Sequence, residues 1–247
     1  MTAFLIMCPL TFLSGFVDAV AGGGGLISLP AYLITGLPVH DAVGTNKINS
    51  LMGASASAWK FIKDGHTPGK PALFCAVAAL FGSAVGSALA LVMNPAIFLK
   101  LMLAILPLTA FYVLFGKGFQ EKGETWEVWK RMAVALTSSF AVGVYDGFYG
   151  PGSGTFLILL LTGAARLRML EANAVSKIVS VAANAAAFVM FLGTGHMRVG
   201  LGLCAGISGM AGSWLGIHCF ERYDVRFVKW MILFVLALFF GKVVTDL

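Results

Sequence analysis

The sequence predicts an all-α polytopic membrane protein. Its architecture reads as two inverted-topology repeats, each a helical hairpin with a glycine-rich break followed by three transmembrane helices. Three observations predict this: long unbroken apolar runs, an internal similarity between the two halves, and basic residues that change places between those halves.

The apolar runs come first. Of 247 residues, 59% are hydrophobic and only 11% charged, with a mean hydropathy of +0.89. A soluble domain carries about 25% charged residues. Runs of roughly 18–25 apolar residues recur along the chain, the length needed to cross a hydrocarbon core of about 30 Å. They are continuous rather than alternating, which favours helices over barrel strands, because backbone groups in lipid must be satisfied within the protein. The start, MTAFLIMCPLTF, lacks a basic region and reads as a first span rather than a signal peptide. A net charge of +6 then reflects cytoplasmic loops and not a nucleic-acid partner.

The second observation is a repeat. At an offset of 130 residues NAVSKIVS falls under VGTNKINS, so that Lys47, Ile48, Ser50, Gly65, His66, Gly82, Ser83 and Gly86 meet Lys177, Ile178, Ser180, Gly195, His196, Gly212, Ser213 and Gly216. Upstream the offset slips to 128, where GFVDAVAGGGG lies on GVYDGFYGPGS and Asp18 meets Asp146. The expected domains are a first repeat over 1–115, a cytoplasmic linker over 116–131, and a second, inverted repeat over 132–247. Each repeat holds a long segment (about 2–21 and 132–149), a glycine-rich break, and a short apolar run (26–36 and 155–163). Three full spans follow in each: about 40–62, 71–93 and 96–115, then 170–192, 201–220 and 227–245. At about 1.5 Å per residue the short runs cover only half the membrane core.

Charge supplies the orientation. Lys60, Lys63 and Lys70 follow the first lysine span, while the matching loop of the second half carries only Arg198. Conversely, Arg166, Arg168, Arg222, Arg226 and Lys229 sit where the first half has no basic residue, and the linker adds Lys117, Lys122, Lys130 and Arg131. Placing the basic loops in the cytoplasm turns the two halves upside down relative to each other and puts both termini outside. Inverted repeats with interrupted helices are a common plan for secondary transporters, with the substrate near the midplane.

Candidate site residues follow from that plan. A break at membrane depth is tolerated only against protein or a water-filled cavity, and it leaves backbone N–H groups suited to anions at the start of the next half-helix. This singles out Gly23, Gly24 and Gly25 in the first half, and Gly152, Ser153 and Gly154 in the second. Lys47 and Lys177 are intramembrane cations at matching positions, costly unless they serve a site. Ser50 and Ser180 follow them at i+3, and Thr45, Asn46, Asn49 and Ser176 add further polar groups. Asp18 and Asp146, just before the breaks, are either proton acceptors for coupling or structural partners of the lysines. Asp41 and Glu171 read as charges at helix N-termini. The Gly-Ser-x-x-Gly patterns read as tight helix packing, and Trp126 and Trp129 as interfacial anchors. The four cysteines stand singly, and no metal or catalytic spacing occurs, so no cofactor or enzyme activity is expected.

Three stretches carry a family resemblance: GFVDAVAGGGGLISLPAYLITGLPVHDAVGTNKINS, its echo GVYDGFYGPGSGTFLILLLTG with EANAVSKIVS, and the Gly-His that ends each lysine helix. They resemble the sulfite exporter TauE/SafE family of membrane anion transporters over essentially the whole chain. The resemblance implies movement of sulfite, sulfoacetate or related anions across the cytoplasmic membrane. The expectation is an alternating-access anion transporter, an exporter, linked to protons through Asp18 or Asp146. A passive anion channel sharing the same lysines is the alternative. The partners expected are a small anion and the lipid bilayer, with no nucleic acid and with homo-oligomer formation left open.

Overall fold

A computed structural model describes residues 2–115 and 127–219. Among these residues all regular structure is helical. The chain forms α1 (Thr2–Ala21), α2 (Gly25–Ile34), α3 (Val39–Lys63), α4 (Lys70–Val92), α5 (Pro95–Phe115), α6 (Val128–Phe148), α7 (Ser153–Gly163), α8 (Met169–Gly193) and α9 (Val199–Cys219). Each predicted segment within the described residues matches one of these helices to within a few residues. The expected span at 227–245, most of the linker with Trp126, and the basic residues Arg222, Arg226 and Lys229 lie outside the described residues.

The short runs are indeed half-helices. At about 1.5 Å per residue, α2 and α7 are about 15 and 17 Å long. A glycine precedes both, Gly24 and Gly152. Gly22, with φ 74°, opens the turn after α1, while Gly150 (φ 103°) and Gly152 (φ 81°) shape the turn between α6 and α7. These are left-handed backbone conformations that a side chain resists. The Gly-His pairs have a related origin. Gly65 and Gly195 take positive φ just after α3 and α8, and the N–H of His66 closes the helix end by donating to the Phe61 carbonyl at 3.0 Å.

Among the described residues four helices, α1, α4, α8 and α9, are long and apolar enough to cross a membrane on length and composition alone. The arrangement of their side chains fits a lipid solvent. On α4 the residues turned inward are Ala72, Ala79, Gly82, Ser83, Gly86 and Ser87, whereas Leu73, Phe74, Phe81, Val85 and Leu89 face outward. Bulky apolar side chains outside and small or polar ones inside reverse the soluble pattern. The chain is a membrane protein.

Small residues set the packing. α4 lies along α6 and α9 along α1, and the contacts repeat between the halves. A Cβ on Gly82 or Gly86 would strike the carbonyl oxygens of Phe140 and Val144. One on Gly212 or Gly216 would strike those of Phe12 and Phe16. These four backbone partners are themselves equivalent positions at the 128 offset. Each half thus packs its glycine seam on the first helix of the other half, with backbones close enough that only glycine fits. The lysine helices α3 and α8 cross at the centre, α3 against α9 and α8 against α4.

Candidate functional site

The two hairpin tips meet backbone to backbone. A Cβ on Gly22 would lie 2.6 Å from the Gly154 carbonyl carbon, and one on Gly25 would lie 2.8 Å from Pro151 Cα. Hydroxyls pin both tips in place. Ser14 Oγ donates to the Gly24 carbonyl at 2.8 Å, Thr155 Oγ1 to Ala21 at 2.6 Å, and Tyr145 Oη to Pro151 at 2.7 Å. No side chain caps α2 or α7, and the Leu26 and Ser153 amides bond back to the Gly23 and Gly150 carbonyls at 3.1 and 3.0 Å within the tip turns.

Beside the tips lies a cavity with about 40 Å³ of free volume. At roughly 10–15 Å³ per water in that measure, it has room for about three waters. Asp18, Gly24, Gly25, Asn46, Lys47, Asn49, Ser50, Asp146, Gly152, Ser153 and Ser180 of the sequence candidates line it. The structure places the others nearby but off the wall. Thr45 sits toward the start of α3, where its Oγ1 accepts the Arg198 amide at 3.0 Å. Ser176 Oγ donates to the Gly154 carbonyl at 3.3 Å. Gly23, Gly154 and Lys177 are not on the wall, and Lys177 meets it through Asp18.

Ser14, Asn184 and Ser213 also line the cavity, and sequence reasoning missed them as site residues. Ser14 and Asn184 align with Val142 and Ala54 in the opposite halves, so a search for shared residues passes over them. Ser213 is shared with Ser83, but its glycine neighbours made it read as packing alone. Its Oγ does hold the Gly15 carbonyl at 3.2 Å.

Both lysines are buried, and each reaches across to the other half. Lys47 Nζ donates to the backbone carbonyl of Asp146 and lies 3.6 Å from its Oδ1. Lys177 Nζ donates to the backbone carbonyl of Asp18 and to its Oδ2 at 2.8 Å. Ammonium groups thereby bond the helix-end carbonyls before the breaks, and the Asp18 carbonyl also accepts the Gly22 amide at 2.8 Å. Ser153 Oγ donates to Asp146 Oδ1 at 2.8 Å, while Asp146 Oδ2 is buried with no partner. Asn46 Oδ1 and Asn184 Oδ1 are likewise buried and unpartnered. Two positive and two negative side chains therefore meet at the centre, together with amides and hydroxyls that have spare hydrogen-bonding capacity. Among the described residues no group of His, Cys, Asp and Glu could hold a metal.

A second polar cluster closes one end of the bundle. Asp41, in the first turn of α3, accepts from His196 Nδ1 at 3.0 Å and from Arg198 Nε at 3.2 Å. His40 Nε2 lies 2.9 Å from the Ala90 carbonyl, and its ring stacks on Phe98. Asp41 is thus a helix-end charge, as its position implies, and also a tie between α3 and the α8–α9 corner. At the start of α6, Trp129 is exposed with Nε1 donating to Glu127 Oε2 at 2.6 Å, fitting an interfacial anchor.

Interrupted helices whose tips meet beside a buried, charge-lined cavity in an apolar bundle define a membrane transporter. The chain belongs to the Sulfite exporter TauE/SafE family, whose sequence profile matches residues 7–243. Its relatives include a "Probable membrane transporter protein ORF9" of Sinorhizobium sp, 32% identical over 94% of this chain and 88% of that one. A "Probable membrane transporter protein" of Haemophilus influenzae is 30% identical over 98% and 94% of the two chains. The "Probable membrane transporter protein YfcA" of Escherichia coli K12 is 23% identical over 96% and 88%. No solved structure matches the chain.

Proposed function

We propose that this protein is a secondary transporter of small sulfur-containing or organic anions across the cytoplasmic membrane, working by alternating access between two inverted repeats, 1–115 and 132–247. The family description, sulfite exporter, supplies the anion class and the outward direction. One observation carries the reading: a cavity bounded by two uncapped half-helices and by Lys47, a cation buried where only a counter-ion justifies it. Lys47 attracts the anion as a point charge. Asn46, Asn49, Ser50, Ser153, Ser180 and the amides of Gly24, Gly25 and Gly152 orient its oxygens. The free volume suits a compact oxyanion such as sulfite, and a longer one such as sulfoacetate needs the site to widen during the cycle.

The exchanged packing of α4 on α6 and α9 on α1 supports rocking of one repeat against the other. The basic residues that switch loops between the halves support opposite insertion, with the linker 116–131 in the cytoplasm and both termini outside. Sulfite flux in proteoliposomes tests the function. Wild type is expected to show saturable flux, and Lys47→Ala is expected to lose it while remaining folded. Unsaturable flux points instead to a passive channel, and flux unchanged in Lys47→Ala refutes the site.

A further inference from the structure

Resting on that transport reading, we infer that Asp146 alone carries the coupled proton, that proton and anion bind together at Lys47, and that Asp18–Lys177 is a fixed ion pair. The two crossed pairs match in sequence but not in construction. Lys177 is fully buried and off the cavity wall, and its ammonium bonds Asp18 Oδ2 directly at 2.8 Å. Protonating Asp18 would strand that ammonium where no anion can reach it, an uncompensated buried charge. Asp18 is therefore the bound partner of a sealed cation, even though its side chain is 29% exposed.

The other pair is loose. Lys47 stands 3.6 Å from Asp146 Oδ1 and spends its hydrogen bond on the backbone carbonyl instead. Asp146, 7% exposed, keeps one oxygen with no donor at all, which burdens an ionised carboxylate far more than a neutral carboxyl. Lys47 does line the cavity, so an arriving anion can replace the carboxylate as its counter-charge. The surroundings of Asp146 allow the exchange. α3 offers Lys47, α7 the Ser153 hydroxyl, and α1 the negative Asp18 across the cavity. α8 offers Lys177, already held by Asp18. α4, packed along α6, brings Ser83 and Ser87, which bond the Ala183 and Gly147 carbonyls, while its Lys70 and Cys75 lie near its far end.

The step balances. A hydronium in the cavity gives its proton to the Asp146 carboxylate and leaves as water, and Lys47 keeps all its protons and its charge. The anion then pairs with Lys47, so the site is neutral both empty and with proton and monoanion aboard. Proton and anion cross in the same direction, one for one, without moving net charge. An outward anion gradient carries both out, and an inward proton gradient works against it.

Methanesulfonate is a suitable probe, because its own charge does not change over the pH range used. In proteoliposomes holding the full chain, external acid is expected to drive its accumulation about tenfold per pH unit, the ratio set by one proton per anion. Clamping the membrane potential at different values is expected to leave that ratio unchanged. Asp146→Asn, which mimics the protonated state, is expected to exchange the anion downhill but to lose accumulation. On wild type in weakly buffered detergent solution, methanesulfonate binding is expected to take up about one proton per anion at a pH where the empty site is ionised. That measurement does not depend on the variant folding. Accumulation that survives in Asp146→Asn, efflux driven by external acid, or binding without proton uptake each overturns the assignment while leaving transport standing. A wild-type chain that moves no sulfonate or sulfite overturns the transport reading and the coupling with it.

Discussion

The first lysine helix, α3, and the second, α8, are both 25 residues long and carry their lysines at matching positions. Both end in a glycine with positive φ followed by histidine. Yet α3 is the more polar, with Asn46 and Asn49 where α8 has Ser176 and Val179. Its lysine faces the cavity, whereas that of α8 is sealed behind it. The shared residues build the scaffold, and the residues that differ build the chemistry. Two cation–carboxylate pairs stand at matching positions, and the proposal makes the closer one the held pair and the looser one, at the cavity, the exchanging pair.

The comparison breaks most visibly at the lysines. Lys177→Ala takes the partner from the Asp18 carboxylate, whose side chain is 29% exposed, and is expected to cost about 2–3 kcal/mol. The double variant with Asp18→Ala should recover much of this, read from detergent unfolding curves. Lys47→Ala is expected to cost no more than about 1–2 kcal/mol, since its carboxylate partner can take a proton. Its main effect should be loss of anion binding. Equal destabilisation by the two would erase the distinction.

The glycine seams should behave alike. Gly86→Val and Gly216→Val each drive a side chain into a backbone carbonyl of the opposite half and are expected to cost similar amounts, about 1–3 kcal/mol. A gap of more than about 2 kcal/mol between their unfolding free energies would mean that the two seams are not equivalent.

Smaller effects are expected at the tips. Ser14→Ala and Thr155→Ala each remove one buried hydrogen bond to a tip carbonyl, for about 1 kcal/mol apiece. Hydrogen exchange should speed up at the α1–α2 turn in either variant. The smallest effect sits at the bundle end. Asp41→Asn releases His196 and Arg198, both substantially exposed, and is expected to change stability by at most about 1 kcal/mol. Its clearer signature is faster labelling of a cysteine placed at Ser50. The equivalent Glu171→Gln, which has no such tie, should leave that labelling unchanged.

The sequence made the helices legible because lipid imposes a plain demand, long apolar segments with closed backbone bonds. Even the half-helices stood out, since Gly22–Gly25 and Gly150–Gly154 interrupt a hydrophobic run. Lys47 and Lys177 were legible as a pair because the repeat placed them in register. Asp18 and Asp146 were legible as candidate partners, but which lysine each one meets was not. That Lys47 reaches Asp146 and Lys177 reaches Asp18 depends on how α3 and α8 cross, and nothing local in either helix specifies it. The tie from Asp41 to His196 and Arg198 was hidden for the same reason, with Asp41 and His196 155 positions apart.

The meeting of Gly22 with Gly154 has a mechanical consequence. Where most helices interlock through side chains, these two hairpins touch through bare backbone, with no knobs to lift out of holes. Such a contact works as a bearing: one hairpin can tilt on the other while few dispersion contacts are lost. The hydroxyl pins and the crossed lysines resist that tilting, and of these the Lys47–Asp146 pair is the part that the proposed proton and anion would loosen. Alanine at both positions would rough that bearing, and it should slow turnover more than it weakens binding.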